Sequence, residues 1–279
     1  MSTYEPFQST FSRTIRLTLA YDGTDFHGWA AQKNPEIRTV QGVLSHAVER
    51  ISAGVPFEIL GSSRTDAGVH ALGQTAALWT DSRIPVERIP KALNANLPED
   101  VYVLGAEEMP STYHPLRSVR RKRYRYLLLD AEGPELFLRR YVWWLGRAAV
   151  SPLNVQAMAE AAEVLRGTHD FAAFQNVGSP RDDTVRTVFD IQVTRGVVRP
   201  PEEFPPFPLL GDAGNLISIE VEADGFLYNM VRNFAGSLME VGRKNLPPEW
   251  MKTALESKDR ANAGPTAPPQ GLFLLWTNA

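Results

Sequence analysis

Hydrophobic residues occupy every second position from Ile15 to Leu19, inside the segment Arg13–Tyr21. This alternation predicts a half-buried β-strand. After a turn signal at Asp22-Gly23, hydrophobic residues from Val40 to Ile51 recur at helical spacing. Thr39 precedes them as a candidate N-cap, so a helix is predicted over this segment.

The rest of the first half continues with short alternating or hydrophobic segments. They predict strands over Phe57–Leu60, Thr75–Thr80 and Val101–Leu104, and a second helix over Val86–Leu97 that Pro90 must kink or delay.

The second half shows a similar succession of elements. Strands are predicted over Arg123–Leu129, Val185–Val193, Leu216–Val221 and Leu272–Trp276. Helices are predicted over Met230–Val241, Trp250–Leu255 and Val155–Leu165, the last capped by Asn154 and ended by Gly167. The proline-rich segments Arg199–Pro208 and Ala261–Gln270 predict loops.

Each half thus approaches the order β-α-β-β-α-β, the ferredoxin-like arrangement. We therefore expect an α+β protein of two ferredoxin-like units, residues 1–110 and 111–279. Their antiparallel sheets are expected to join edge to edge, with a catalytic cleft between them.

The composition excludes several classes of chemistry. Cysteine is absent, which removes disulfides, thiolate catalysis and zinc sites built on cysteine. No apolar run reaches about eighteen residues, the length that predicts a membrane-spanning helix. The N-terminal residues lack a signal-peptide pattern. These features together predict a cytoplasmic protein.

The net charge of -3 argues against a nucleic-acid partner, but the average hides a basic segment. Between Arg117 and Arg125 stand six cations in nine residues with no acid among them. The segment predicts either a solvated or charge-guarded strand edge, or an RNA-binding face. We favour the RNA-binding face, because six uncompensated cations repel one another unless an anion approaches.

The segment Gly61–Leu72, GSSRTDAGVHAL, lies between two predicted strands and contains the candidate chemistry. One interpretation is a polar turn in which the Asp caps the backbone. The other is a nucleophile or base: if the strand continues, Arg64 and Asp66 share a face, and the guanidinium keeps the carboxylate ionised. The spacing of Asp66 and His70 would also suit metal ligation on a helix. Gly68 is a poor helix former and no third ligand is near, so we expect no metal site.

At this point the sequence resembles a known family. SRTDAGVHALGQ is similar to the signature loop of the TruA family of pseudouridine synthases. The resemblance extends over nearly the whole chain, through YDGTDFHGWAAQ at Tyr21–Gln32, TVQGVLSHAVERI at Thr39–Ile51, NANLPEDV at Asn94–Val101, RRKRYRY at Arg120–Tyr126 and GFLYNMVRNFAGSLMEVGR at Gly225–Arg243. Several motifs in order are far more specific than one short match.

The resemblance implies the activity and the site. Asp66 matches the catalytic nucleophile, Arg64 the neighbouring arginine, Tyr124 the substrate-contacting tyrosine and Arg232 the arginine of the MVR segment. The family also implies a homodimer that isomerises uridines at tRNA positions 38, 39 and 40, without metal or redox cofactor. Departures from the family pattern occur at Ser63, at Tyr228-Asn229 and at Trp29–Gln32, and they bear on substrate preference.

The basic strand supplies candidate substrate contacts. On a strand, Tyr124 shares a face with Lys122 and Tyr126, while Arg121 and Arg123 point to the other face. Tyr124 could stack on a flipped uracil or be an ordinary half-buried aromatic residue. Arg121, Lys122 and Arg123 could bind phosphates. Trp143-Trp144 is expected in the core or a dimer contact.

Three other functions remain open. The first is the same isomerisation on organellar or messenger RNA, and the second is a non-catalytic RNA-binding protein or chaperone. The third is a metal-dependent nuclease, which the missing ligand cluster disfavours.

Overall fold

The computed structural model describes residues 7–34, 36–146, 152–176, 178, 183–196 and 214–278. The chain divides into two compact units: unit 1 comprises Met1–Arg120 with Leu274–Ala279, and unit 2 comprises Arg121–Phe273. This division differs from the expected one at residue 110 by residues 111–120 and by the C-terminal segment. The expected edge-to-edge joining of sheets and the cleft concern the relation of the two units and stay predictions.

Unit 1 begins with the element order β-α-β-β-α-β. Strand β4 lies beside β1, β1 beside β3 and β3 beside β2, and all three pairings are antiparallel. The elements are β1 Arg13–Tyr21, α1 Val40–Ser52, β2 Phe57–Gly61, β3 His70–Thr80, α2 Ile89–Asn94, β4 Val101–Met109 and the short α3 Pro115–Ser118.

Local sequence signals account for most of unit 1. The alternating residues of β1 are fully buried, and the Thr39 side chain caps α1 by accepting a hydrogen bond of 3.2 Å from the Gly42 amide. Helix α2 is shorter than predicted: Val86–Arg88 forms a 3₁₀ turn, and the α-helix starts at Ile89. Pro90 causes this delay, because a proline lacks an N–H and is tolerated only in the first helical turn.

Unit 2 has a similar strand order with additions. Strand β5 lies beside β9, β9 beside β8 and β8 beside β7 in antiparallel pairs, while β6 is parallel to β5. The elements are β5 Arg121–Leu129, β6 Trp143–Trp144, α4 Val155–Glu163, β7 Gly167–Asp170, β8 Val185–Arg195, β9 Leu216–Ala223, α5 Met230–Gly242, α6 Trp250–Ser257 and β10 Leu272–Asn278, whose residues from Leu274 belong to unit 1. The predicted mixed α+β class is confirmed.

The details of unit 2 include two unpredicted strands. The Asn154 side chain caps α4 as predicted, accepting from the Ala157 amide at 3.1 Å. Gly167 does not end this helix, which stops at Glu163; it opens β7 with a φ of 106°. In β6, Trp143 pairs with Leu128 of β5, and both tryptophans are only partly buried, so their expected place in the core or a dimer contact stays a prediction.

Two expectations concern particular segments. The proline-rich segment Arg199–Pro208 lies outside the described residues. No helix in the described parts of the chain is long and apolar enough to cross a membrane.

Candidate active site

The predicted nucleophile lies in a loop between two strands of unit 1. Strand β2 ends at Gly61 and β3 begins at His70, so Arg64 and Asp66 both lie in the intervening loop. The expectation that a continuing strand places these two side chains on one face is therefore wrong. Arg64 is exposed and Asp66 is partly exposed, which leaves both side chains accessible to a ligand.

The backbone of this loop is held by the segment Tyr21–Trp29, which we call the cradle. The amide of Trp29 donates to the carbonyl of Thr65 at 3.0 Å, and the amide of Gly68 donates to the carbonyl of Phe26 at 3.2 Å. Asp66 thus lies between two anchored residues. The loop is therefore fixed through its main chain on both sides of Asp66.

Buried side chains hold the same loop from beneath. The hydroxyls of Tyr21 and Thr65 are 2.7 Å apart, and the Gln74 side-chain amide donates to the carbonyl of Ser63 at 2.8 Å. Gln74 is completely buried, so its hydrogen bonds are formed without competition from water. This arrangement restricts the positions that Asp66 can reach.

Gly28 of the cradle permits this close approach. Its φ is 93°, and a Cβ at this position would lie 2.6 Å from the carbonyl oxygen of Thr65. Only glycine meets both conditions without strain. The loop-holding role of Gly28 and Trp29 was not predicted from the sequence, although both residues lie in the Tyr21–Gln32 motif.

The geometry around His70 argues against its use as a metal ligand. His70 is 2% exposed, and its Nδ1 accepts a hydrogen bond of 3.0 Å from the amide of Gly23. Because His70 opens β3 and Asp66 lies in the loop, the two residues are not on a helix. Within the ranges that the structure describes, no group of three His, Cys, Asp or Glu could hold a metal ion.

The strand β5 of unit 2 has the predicted alternation. Its register pairs Tyr124 with Val221 and Arg123 with Glu222, so the tyrosine and the arginine lie on opposite faces. Tyr124 is 6% exposed, and its ring contacts Phe226 edge to face at 5.0 Å between centroids. The tyrosine is more deeply buried than the half-buried aromatic residue considered from sequence.

The arginines on the other face of β5 form ion pairs, contrary to what was expected of the basic segment. Arg123 contacts the carboxylates of Glu220, Glu222 and Asp190 at 2.8, 3.3 and 3.1 Å. Arg125 pairs with Glu220 at 2.6 Å, so one carboxylate bridges two arginines. Arg123 and Arg125 are therefore compensated by acids of β8 and β9. The premise that all six cations of the basic segment are uncompensated is wrong.

Exposure falls steeply along the same strand. The side chain of Arg121 is 53% exposed, that of Arg123 is 16% exposed and that of Arg125 is 3% exposed. Arg121 also pairs with Glu222 at 2.9 Å. Arg121 is thus the most accessible of these three arginines, and Arg125 is part of the interior.

Arg232 occupies the first turn of α5 in unit 2 and is partly buried. Its Nε donates to the carbonyl of Ala267 at 2.6 Å, and its Nη1 donates to Oδ1 of Asn229 at 2.8 Å. Both of these acceptors are neutral, and they help to orient the guanidinium. Unit 1 brings Arg64 and Asp66 together, and unit 2 contains Tyr124, Lys122, Arg121, Arg123 and Arg232.

Comparisons with known proteins identify the family. The family model described as tRNA pseudouridine synthase matches residues 18–115 and 161–277. "tRNA pseudouridine synthase A" of a Thermoanaerobacter species is 41% identical over 263 residues, covering 94% of this chain and 98% of that protein. The protein of the same name from Moorella thermoacetica is 41% identical over 260 residues, covering 93% and 97%.

One solved structure also matches. It is titled "Crystal Structure of a Cbf5-Nop10-Gar1 Complex" and has 13% identity and a TM-score of 0.32, covering 96% of this chain and 59% of that one. This similarity is too low to support an argument. The family match, by contrast, includes the Asp66 loop, its cradle, strands β2 to β4 and the whole of α5, and it leaves out Tyr124. The chain therefore belongs to the TruA-type family of tRNA pseudouridine synthases.

Proposed function

We propose that this protein isomerises uridine to pseudouridine in tRNA, with Asp66 as the nucleophile. The observation that supports this most directly is the loop Ser62–Val69, whose backbone is anchored on both sides of a partly exposed carboxylate. The full-length relatives named tRNA pseudouridine synthase A supply the substrate class. A fixed, accessible carboxylate is the group that the reaction requires.

The reaction conserves every atom of the substrate. The bond from C1′ of the ribose to N1 of uracil breaks, the base rotates, and a bond from C1′ to C5 forms, while C5 loses a proton and N1 gains one. Nothing is oxidised or reduced, so no redox cofactor is needed. The Asp66 carboxylate either adds to the uracil ring or acts at the sugar, and both routes return it unchanged.

The target uridine must leave the helical stack before Asp66 can reach it. Base flipping costs a few kcal/mol, and stacking on an aromatic ring recovers about 1–3 kcal/mol. We assign this stacking to Tyr124. Because its ring is packed against Phe226, a base must take the place of part of this covering when it binds.

We assign the remaining predicted residues to binding and orientation. Arg64, which is exposed in the same loop as Asp66, is assigned to assist Asp66 and to contact the RNA. Arg232 is assigned to hold the Asp66 carboxylate or a phosphate of the RNA. Lys122 and Arg121 are assigned to phosphates. The heavy pairing of Arg123 with carboxylates makes it the weakest of the proposed phosphate contacts.

Finer points follow the family. We propose that the targets are uridines at positions 38, 39 and 40 of the anticodon arm, and that the enzyme is a cytoplasmic homodimer. The alternative substrate is another RNA, and the alternative class is a non-catalytic RNA-binding protein. The accessible Asp66 favours catalysis over loss of activity.

The decisive experiment compares the wild-type enzyme with Asp66→Asn on an unmodified tRNA transcript, with magnesium and no other added cofactor. We expect the wild type to form pseudouridine at positions 38–40, and Asp66→Asn to fold, bind RNA and form none. Single-turnover rates and mapping of pseudouridine give the result.

Glu58→Gln is the matched control, since it removes an exposed acid from the neighbouring strand β2. Its rate should equal that of the wild type. An Asp66→Asn enzyme with a tenth of the wild-type rate would show that Asp66 is not the nucleophile. A wild-type enzyme that modifies other RNAs but not tRNA would overturn the assignment of tRNA as the substrate.

A further inference from the structure

Arg260 of unit 2 has an unusual environment for an arginine. Its guanidinium donates to Oδ1 of Asn176 at 3.0 Å, to Oγ1 of Thr266 at 2.9 Å and to the carbonyl of Gly264 at 2.9 Å. It also donates to Oδ1 of Asn233 at 3.1 Å. Burial lowers the pKa of Arg260. The hydrogen-bond partners of Arg260 in the described part of the chain are all neutral, so the planar fork of donors, more than its charge, organises this region.

Two of the acceptors of Arg260 are sequence neighbours of Arg232 or of its partner Ala267. Asn233 follows Arg232 on α5, and Thr266 precedes Ala267. The amide of Ala267 donates to the carbonyl of Arg232 at 3.1 Å, and the carbonyl of Ala267 accepts from Nε of Arg232 at 2.6 Å. Ala267 therefore holds both the main chain and the guanidinium of Arg232.

The segment 263–267 also lies directly on the backbone of α5. The amide of Gly264 donates to Oγ of Ser237 at 2.9 Å, and a Cβ on Gly264 would lie 2.6 Å from Cα of Ser237. The Asn233 side-chain amide is held in turn by the carbonyl of Phe174 at 2.7 Å. A displacement of this segment along the helix would thus carry the Ala267 carbonyl away from Arg232.

We infer that Arg260 is a positioning residue for Arg232, acting through Thr266 and Ala267. The inference rests on the proposed function, in which Arg232 assists the reaction. Arg260 fixes the segment that orients the Arg232 guanidinium and does not itself need to touch the RNA. Positioning matters because a shift of about 1 Å in a group that serves catalysis costs about 100-fold in rate.

A double-mutant cycle separates positioning from general structural support. Single-turnover rates of pseudouridine formation on a tRNA transcript are measured, at saturating enzyme, for Arg260→Gln, Arg232→Gln and the double variant. We expect Arg260→Gln to lose about 100-fold in rate and to bind the tRNA as the wild type does. In the Arg232→Gln background the same change should cost little more, because its target is already gone.

Two variants control the interpretation. Arg260→Lys keeps the charge but loses the planar fork, so we expect it to resemble Arg260→Gln. Arg195→Gln removes a partly exposed arginine of the same unit that pairs with Asp130 at 2.9 Å, and its rate should be that of the wild type. Apparent Tm values identify any variant that has lost its fold, in which case Thr266→Val replaces Arg260→Gln in the cycle.

The outcomes are distinct. Independent losses that multiply in the double variant would overturn the inference, as would a full rate for Arg260→Gln or for Arg232→Gln. Full activity of Arg260→Lys with a changed salt dependence of tRNA binding would show a direct phosphate contact instead. Absence of pseudouridine with the wild-type enzyme is the failure of the proposed function, and it is seen before any variant is made.

Discussion

The two units pair arginines and glutamates across neighbouring strands, but at different depths. In unit 1, Arg13 of β1 pairs with Glu108 of β4, whose side chain is 46% exposed. In unit 2, Arg123 and Arg125 of β5 share Glu220 of β9, whose side chain is 7% exposed. The same residue types in the same kind of element are therefore a surface feature in one unit and part of the interior in the other.

The comparison shows why a run of charges in the sequence is ambiguous. The acids that compensate β5 come from β8 and β9, about 65–100 residues later in the chain. The carboxylate assigned to chemistry, Asp66, lies instead in a loop that is held by its backbone. The arginines of β5 thus pair with acids of neighbouring strands, whereas the partly exposed Asp66 is the acid that we propose to act on the RNA.

The largest expected effect tests the difference in depth. Glu220→Gln removes a buried carboxylate shared by two arginines, and breaking such a pair costs about 3–5 kcal/mol. Glu108→Gln removes an exposed partner of Arg13, which costs about 0–1 kcal/mol. Urea titration of both variants gives the free energy of unfolding. Equal losses would mean that depth does not distinguish the two pairs.

The next effect tests the cradle of Asp66. Gly28→Ala forces a side chain toward the Thr65 carbonyl, and we expect a loss of about 100-fold in single-turnover rate. Gly54→Ala is the matched control: Gly54 also has a positive φ, of 85°, but nothing lies within 4 Å of its added Cβ. It carries the same kind of backbone strain without the contact. Equal rates for the two variants would show that the cradle does not position Asp66.

Elements with local signals were the ones that the sequence predicted well. Helix α1 has both a repeating hydrophobic face and the Thr39 cap, and α4 has the Asn154 cap. Strand β7, GTHD, has no hydrophobic pattern and forms because β8 pairs with it. The start of β3 at His70 was missed because the polar residue Gln74 is buried by the loop that it supports.

The candidate site divides in the same way. Asp66, Arg64, Tyr124 and Arg232 lie in motifs that resemble a family, and the resemblance named them. The cradle contacts and the Arg260 cluster join residues that are distant in sequence, such as Asn176 and Arg260. No spacing rule along one sequence predicts such contacts, because they depend on how the elements pack.

A smaller effect tests which arginines of β5 remain available to RNA. Arg121→Gln should lower the salt dependence of tRNA binding by about one phosphate, roughly one log unit in slope. Arg123→Gln should leave the slope unchanged and reduce stability instead, because the Arg123 guanidinium is already paired with three carboxylates. Filter binding across a salt series measures both. A reduced slope for Arg123→Gln alone would return this residue to the RNA-binding face.

The smallest effect concerns the acid sensitivity of the two units. His114 of unit 1 packs against the rings of Phe7 and Trp79, at 4.8 and 5.9 Å between centroids. Burial, and then the charge of Arg117, lower the pKa of His114. Between the folded pKa and the ordinary value of about 6.5, the unfolded chain therefore binds more protons. Stability should fall as the pH drops below about 6.5, and His114→Gln should flatten this loss.

Asp170 of unit 2 provides the contrast, because its proton uptake belongs to a more acidic range. A hydrogen bond from Thr184 and the contact with Lys258 lower the pKa of Asp170. Its contribution to stability is present above the ordinary value of about 3.9 and is lost as the pH falls through the lower, folded pKa. Asp170→Asn should therefore leave the loss of folding stability between pH 7 and about 5 unchanged. His114→Gln should reduce this loss. Urea midpoints measured across this range decide the matter, since an unchanged slope in His114→Gln would assign the loss to another group.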